Sequence, residues 1–162
     1  MFQSISRWVE KNLDRVLRLY PPYLGAGIEV AQMSEDFRYV RVEMPLRLYN
    51  QNYVGTHFGG SLYSMCDPFY MLMLLKNLGG EYIVWDKAAR VDFRKPGEGR
   101  VTAEFRLSQA RIDEIRGAAD SQRKVEPVFE VEVIDEAGDV VAVVEKVLYV
   151  RRKERTKDSR GK

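Results

Sequence analysis

The chain has 162 residues, of which 45% are apolar and 31% charged, a composition that excludes a disordered chain and provides for one domain with a sizeable core. The tail over residues 151–162 holds seven basic and two acidic residues, so residues 1–150 keep 19 basic and 22 acidic ones and a formal charge of −3. This mildly acidic body argues against a nucleic-acid-binding surface, and a single cysteine excludes an intramolecular disulfide and favours a cytoplasmic location.

Apolar residues at helical spacing predict an amphipathic helix over residues 4–20. Charged side chains are interspersed among them, unlike in a signal peptide, so the helix is expected to be retained. Pro21 and Pro22 should end it, because proline lacks the N–H that a helix needs. Strands near residues 28–33 and 39–45 come next, the second predicted by alternating apolar and charged side chains.

The segment over residues 60–78 is apolar nearly all round, which is typical of a helix inside a protein. Asp67, Pro68 and Lys76 interrupt it, and it falls short of the about 20 apolar residues that span a bilayer. We therefore expect one long, buried central helix with no membrane association. Pro68 should kink this helix near Asp67.

Four further strands are predicted over residues 82–94, 101–107, 128–135 and 140–151, from alternation or from continuous apolar runs. Residues 111–123 fit either a short helix or a wide excursion between strands. One helix cannot cover both faces of such a sheet, so we expect a homodimer or a dimer of dimers.

No domain boundary or internal repeat is evident before the basic end of the chain. Residues 1–150 are therefore interpreted as one domain that includes the N-terminal helix. The tail over residues 151–162 is expected to be solvated and mobile, as charged termini commonly are, and contact with phosphates or RNA is the alternative.

The stretch NYVGTHFGGSLYSMCD, residues 52–67, brings together a histidine, a cysteine, an aspartate and two adjacent glycines. It resembles the phenylacetate-pathway type of acyl-CoA thioesterase, in which an Asn is followed by Gly-Thr, an aliphatic residue, His-Gly-Gly and, two helical turns later, an Asp. The matching positions are Asn52, Gly55, Thr56, Gly59, Gly60 and Asp67. Residues 91–97 resemble a second family feature, a strand that ends in an aromatic-x-x-Pro turn.

These thioesterases belong to the hotdog-fold superfamily, and the order of predicted elements resembles the same fold. The resemblance covers residues 25 to 150. It implies an α+β hotdog fold, in which an antiparallel sheet wraps around the apolar central helix.

Two departures from the family pattern concern the expected site. Phe58 directly precedes the two glycines, where the family has its histidine, and His57 lies one residue earlier. A Phe-Gly-Gly sequence is similar to an uncharacterised branch of the superfamily. Because adjacent side chains of an extended segment point to opposite sides, His57 is not given the role of the family histidine. Asp86 stands where relatives carry a Ser or Thr, on the dimer partner's strand, that helps to hold water.

The resemblance implies hydrolysis of an acyl-CoA or a related thioester, with coenzyme A only as part of the substrate and no further cofactor or metal. Asp67, with a pKa raised by burial, would attack the thioester or deprotonate a water. Backbone N–H groups of Gly59 and Gly60 would polarise the carbonyl, and Asn52 would fix the loop or the water. The expected catalytic residues are Asp67, Gly60 and Asn52, and the expected substrate-binding residues are Gly59, Ser64, His57, Asp86, Arg94 and Lys95.

A continuous helix would place Gly60, Ser64 and Asp67 on one face. The alternative is that Asp67, which precedes a proline, is the N-cap of a helix that begins at residue 68.

Other residues of the stretch also have alternative interpretations. Cys66 fits a small core residue better than a nucleophile paired with His57. Arg94 and Lys95 fit either a solvated turn or ligands of the coenzyme A phosphates. A lone histidine cannot build a metal site.

Three functions remain open from the residues. A small thioester hydrolase is the first, and a non-catalytic hotdog module that binds an acyl ligand is the second, because Phe58 replaces the family histidine. A hydratase or dehydratase is the third and least supported, since it needs a carboxylate paired with a histidine.

Overall fold

A computed structural model describes residues 13–153 as a sheet with helices packed against it. The helices are α1 (Leu13–Arg18), α2 (Pro21–Ala26), α3 (Gly59–Ser64), α4 (Phe69–Leu78) and α5 (Gln109–Ser121). The strands are β1 (Glu29–Met33), β2 (Tyr39–Pro45), β3 (Tyr82–Phe93), β4 (Arg100–Arg106), β5 (Val128–Asp135) and β6 (Val140–Arg152). The first part of the predicted N-terminal helix and residues 154–162 of the tail lie outside the described residues.

The six strands form one antiparallel sheet in the order β1-β2-β4-β5-β6-β3. Their alternating burial places one face on the core, as in β2, where Val40, Val42 and Met44 are buried. Strand β6 runs to Arg152, one residue beyond its predicted end, so the first two residues of the basic tail belong to the sheet.

Helix α4 is central to the core, and Phe69, Met73 and Leu74 on it are fully buried. Phe69 packs against Phe105 of β4 with ring centroids 4.9 Å apart, and Tyr70 stacks on Phe129 of β5 at 4.5 Å. Such aromatic pairs contribute about 0.5–1.5 kcal/mol each beyond the area they bury. The predicted central helix is therefore present as the element around which the sheet packs.

The prediction of one long central helix is wrong in one respect: the segment forms two helices. Helix α3 ends at Ser64 and α4 begins at Phe69, with Met65–Pro68 between them. Pro68 lacks an N–H and disfavours helical geometry in the residue before it, so the interruption is wider than the expected kink. Asp67 consequently lies in a short link rather than on a helix.

Pro21 and Pro22 separate two helices at the start of the described chain. Helix α1 ends at Arg18, as the prolines predict, but they also begin α2, which was not predicted. Proline is tolerated in the first turn of a helix, where its missing N–H would have no partner. Gly27 ends α2 in a left-handed conformation with φ of 71°.

Residues 109–121 form a regular helix, α5, which decides between the two structures predicted for this region. The Ser108 hydroxyl accepts a hydrogen bond from the Arg111 N–H at 3.2 Å and caps the helix. Ile112, Ile115 and Ala119 are buried on its inner side. Within residues 13–153, no helix is long and apolar enough to cross a membrane.

Strand β3 is an edge of the sheet, and it pairs only with β6. It is 12 residues long, and residues 87–90 are exposed in succession. A long edge strand leaves a row of N–H and C=O groups available for pairing with another chain.

Candidate active site

Three polar side chains meet at one buried lysine. Lys146 on β6 has no exposed surface, and its Nζ donates hydrogen bonds to Asp67 Oδ1 at 2.8 Å and to the Tyr63 hydroxyl at 3.2 Å. Asp86 on β3 forms an ion pair with it, with Oδ1 2.9 Å from Nζ. We refer to Tyr63, Asp67, Asp86 and Lys146 as the lysine cluster.

The fold assembles the cluster from three elements. Lys146 lies on the core-facing side of β6, the side that also carries Val144 and Leu148. Strand pairing places Asp86 opposite Leu148. Tyr63 on α3 precedes Asp67 by four residues, and its hydroxyl donates to Asp67 Oδ1 at 2.6 Å. The interruption between α3 and α4 therefore presents Asp67 to both donors.

The two oxygens of Asp67 have different environments. Oδ1 accepts the hydrogen bonds of Tyr63 and Lys146, whereas Oδ2 makes no hydrogen bond to any described residue. The side chain is 47% exposed. One oxygen is thus anchored by the protein, and the other remains available to a ligand or to water.

The cluster shifts the pKa values of its acids in opposite directions. Burial raises the pKa of Asp67, but hydrogen bonds from Lys146 and Tyr63 and the charge of Lys146 outweigh burial and hold it below its ordinary value. The pKa of Asp86 is raised, mainly by burial. Burial lowers the pKa of Lys146, yet its bonds to Asp67, Asp86 and Tyr63 raise it to about 12. The expectation that burial gives Asp67 a raised pKa is therefore wrong.

Asp67 is not the N-cap of α4. The N-cap position belongs to Pro68, the helix has no side-chain cap, and the Asp67 carboxylate is directed to the lysine cluster instead. The expected helical face of Gly60, Ser64 and Asp67 is also absent, because the helix ends at Ser64. The Ser64 hydroxyl donates to the Gly60 carbonyl at 2.8 Å, within its own helix.

A second group of the predicted residues lines a cleft of about 390 Å³. Its lining consists of Asn52, Thr56, His57, Gly59, Leu62, Phe93, Arg94, Lys95, Pro96 and Gly97. None of these belongs to the lysine cluster, so the predicted site residues form two groups. Helix α3 joins them: Gly59, its first residue, lines the cleft, and Tyr63, one turn and about 6 Å further along the axis, belongs to the cluster.

Asn52 holds the loop that leads into α3. Its Oδ1 accepts hydrogen bonds from the backbone N–H groups of Val54 and Thr56. Its Nδ2 donates hydrogen bonds to the Thr56 hydroxyl and to the His57 carbonyl. All four contacts stay within the loop. Of the two roles expected for Asn52, the geometry favours fixing the loop over holding a water.

His57 is directed into the protein. Its side chain is only 3% exposed, and its Nε2 lies 3.0 Å from the Gly99 carbonyl oxygen, an arrangement in which the ring donates from Nε2. Nδ1 is buried and has no partner among the described residues. Burial lowers the pKa of His57, which keeps the ring neutral at pH 7.

The two glycines at the start of α3 leave space for aromatic rings. A Cβ on Gly60 would lie 2.5 Å from the ring of Phe58, and one on Gly59 would lie 3.0 Å from the ring of Phe93. Their backbone N–H groups donate to no acceptor within residues 13–153. Because α3 has only six residues, these individual N–H groups, rather than a large helix dipole, are available to a ligand.

Arg94 and Lys95 already have carboxylate partners. Arg94 pairs with Asp92 at 2.9 Å, and Lys95 bridges Asp135 and Asp139 at 2.7 Å each. These pairs favour the turn interpretation over a site kept free for phosphates.

The structure places Cys66 in the core, as the first of its two interpretations expects. It is fully buried, and burial raises the pKa of its thiol, so it lacks the thiolate character of a nucleophile. Over the described range 13–153, no group of three His, Cys, Asp or Glu side chains is placed to hold a metal ion.

Lys146 and Tyr63 were not predicted as site residues. A signal for Lys146 exists in the sequence: buried residues alternate along β6 from Ala142 to Val150, and a lysine occupies one of these core positions. A buried lysine requires partners, which makes such a position a candidate site.

Comparisons with known proteins agree with this architecture. The chain superposes on a Pseudomonas aeruginosa protein of unknown function, PA5026, described as a probable thioesterase, with a TM-score of 0.78 and 25% identity over 88% of this chain and 96% of that one. The thioesterase HI1161 of Haemophilus influenzae gives a TM-score of 0.64 and 17% identity, over 91% of this chain and 93% of that one.

The Escherichia coli PaaI protein, from the phenylacetic acid degradation operon, gives a TM-score of 0.61 and 18% identity, over 90% of this chain and 94% of that one. These likenesses confirm the expected α+β hotdog fold. No curated protein matches the chain. The model of one family matches residues 11–150, and the chain therefore belongs to that family, which is described as a domain of unknown function (DUF4442).

Proposed function

We propose that this protein is an acyl-CoA thioesterase, which hydrolyses a thioester to a free acid and a thiol, with Asp67 as the reacting carboxylate. The observation that carries the proposal is the pair of unequal oxygens on Asp67: Oδ1 is held by two donors and Oδ2 is free. Likeness to the probable thioesterase of Pseudomonas aeruginosa supports the reaction class.

The lowered pKa of Asp67 favours direct attack over general-base catalysis, because a weak base activates water poorly. Oδ2 would attack the thioester carbonyl carbon while the N–H groups of Gly59 and Gly60 donate hydrogen bonds to the developing oxyanion. The carbon–sulfur bond then breaks, and the thiolate leaves and is protonated by solvent. Water cleaves the resulting anhydride, which releases the acid and restores Asp67.

The cleft at the start of α3 is the proposed location of the coenzyme A portion. Gly59 connects it to the lysine cluster through one turn of helix, so a bound molecule could extend along α3. Arg94 and Lys95 would hold phosphates only by exchanging their carboxylate partners. Ser64 and Asp86 are proposed to contribute to substrate binding, and His57, whose buried ring lines the cleft, to the shape of the cleft.

The reaction is tested with a panel of acyl-CoA substrates and a free-thiol readout on the wild type and on Asp67→Asn. Asparagine keeps the size of Asp67 but removes its charge, so we expect normal folding, retained binding of a non-hydrolysable acyl-CoA analogue and a loss of at least about a hundredfold in kcat. Cys66→Ala is the matched control in the adjacent residue and should keep its activity. An active Asp67→Asn variant would contradict Asp67 as the reacting group.

One observation favours a second function, a non-catalytic hotdog module that binds an acyl ligand. Phe58, more than half exposed, presents an apolar ring where the family has its histidine. Binding of the acyl-CoA analogue to a wild-type protein that turns over no substrate in the panel would support this second function.

A further inference from the structure

We propose that Lys146, supported by Asp86, is a positioning residue for the reaction: it fixes the Asp67 carboxylate through Oδ1 and so directs Oδ2 to the substrate. This inference rests on the proposed thioesterase activity. Lys146 has no exposed surface, so it acts through Asp67 and does not touch the substrate.

The contacts of Lys146 match its bonding capacity. An ammonium group has three N–H donors, and Nζ has three oxygen neighbours. It donates hydrogen bonds to Asp67 and Tyr63, whereas Asp86 Oδ1 is held at 2.9 Å as an ion pair and has no hydrogen-bond partner among the described residues. Asp67 Oδ1 accepts one hydrogen bond from Lys146 Nζ on β6 and one from the Tyr63 hydroxyl on α3. These two bonds restrain the carboxylate from two sides. Residues 79 positions apart in sequence are thus joined at the reacting group.

Asp86 is a second carboxylate beside the charge of Lys146, so the cluster contains two acidic partners rather than one ion pair. Its carboxylate lies on the opposite strand, 2.9 Å from Nζ, and is less exposed than that of Asp67, with 25% of its side chain accessible. The buried cation therefore has one carboxylate partner that is mostly covered and one that is about half exposed.

The groups around Asp67 predict how its charge depends on pH. Lys146 is the nearby cation, and Asp86 is the nearby anion. The Cys66 thiol and the Tyr23 phenol also interact with Asp67, but burial raises the pKa of both and keeps them neutral at pH 7. Replacing Lys146 therefore raises the pKa of Asp67, whereas neutralising Asp86 does not.

The test compares kcat/KM from pH 4.5 to 8 in the wild type, Lys146→Met and Asp86→Asn. We expect flat profiles for the wild type and Asp86→Asn, because Asp67 stays ionised. Lys146→Met should lose at least about tenfold in kcat with KM nearly unchanged, and its kcat/KM should fall with acid because the pKa of Asp67 rises once the lysine is gone. Lys124→Met, which removes an exposed lysine, is the charge control and should behave as the wild type.

A Lys146→Met variant with a flat profile, or an acid limb in Asp86→Asn, would overturn the inference. If Lys146→Met does not fold, the double variant Lys146→Met with Asp86→Asn takes its place, because it removes one charge of each sign. An acid limb in its kcat/KM profile would support the inference, and a flat profile would overturn it. A wild type that hydrolyses no thioester in the panel would contradict the proposed function itself. An active wild type with an unaffected Lys146→Met variant would contradict only the role of Lys146.

Discussion

Neighbouring side chains at the loop preceding α3 have opposite environments. His57 is 3% exposed and bonded to the Gly99 carbonyl, whereas Phe58 is 56% exposed. An extended backbone alternates its side chains, and this alternation decides which of the two can meet a ligand. The residue that could act as an acid or base is turned inward, and the residue at the surface has no titratable group.

His57→Ala should therefore retain most of any thioesterase activity. The variant loses one hydrogen bond and leaves a small cavity beside Gly97, so the free energy of unfolding should fall by about 1–3 kcal/mol. Steady-state kinetics and urea unfolding check both parts. A loss of activity beyond about a hundredfold in a folded variant would show that His57 is catalytic.

At the scale of elements, the two glycines at and near the end of α2 have opposite requirements. Gly25 has open space where a Cβ would stand and an ordinary helical conformation. Gly27 has a φ of 71°, and a Cβ there would lie 2.9 Å from the Tyr49 hydroxyl oxygen and 3.0 Å from Asn50 Nδ2. The conformation and the close packing both require glycine at position 27.

Gly25→Ala should stabilise the protein by about 0.5–1 kcal/mol, because alanine restricts the unfolded chain and favours a helix. Gly27→Ala should destabilise it by at least about 1 kcal/mol, because of the left-handed backbone and the contacts with Tyr49 and Asn50. Urea unfolding of the pair provides its own control, since the substitution is the same. Equal effects at both positions would contradict the described end of α2.

The elements that could be predicted are those with a local pattern. The alternation in residues 39–45 predicted the observed bounds of β2, and the predicted strand over residues 128–135 has the observed bounds of β5. The break between α3 and α4 was underestimated, because the width of an interruption at Pro68 depends on contacts of Asp67 with distant residues. Helix α2 was missed because two prolines were interpreted only as an end signal.

The candidate site was predictable only where it is contiguous in sequence. Asp67 and Asp86 were proposed from the resemblance to the thioesterase pattern, but their meeting point, Lys146, follows them by 79 and 60 positions. Strand pairing of β3 with β6 brings Asp86 close to Lys146, and no local sequence pattern specifies the register of that pairing. The lysine at a core position of β6 was the available signal.

At the scale of the whole molecule, the sheet formed by residues 13–153 has two edge strands, β1 and the much longer β3. Strand β3 has 12 residues, an exposed segment over 87–90, and the half-exposed rings of Trp85 and Phe93. Trp85 stacks on Tyr149 of β6 at 4.5 Å, so it is ordered on the surface rather than directed into the core. Proteins commonly cover or pair such an edge.

We therefore expect the protein to be at least a homodimer through β3. Light scattering at micromolar concentration should give a mass of at least twice the 18.8 kDa of the chain. A dilution series serves as the control, because the mass should fall only at low concentration if the association is specific. A stable monomer would contradict the pairing of β3.

The protonation state of Lys146 determines whether the proposed enzyme could acylate its own lysine. Thioesters and anhydrides acylate neutral amines, and this lysine is hydrogen-bonded to the carboxylate that would carry the acyl group. With its pKa raised to about 12, Lys146 stays in the ammonium form at pH 7, and the ammonium form is not a nucleophile. Mass spectrometry after prolonged incubation with acyl-CoA should find exposed lysines such as Lys124 modified before Lys146. The two carboxylates that hold the ammonium would thus protect the protein from modification by its own substrate.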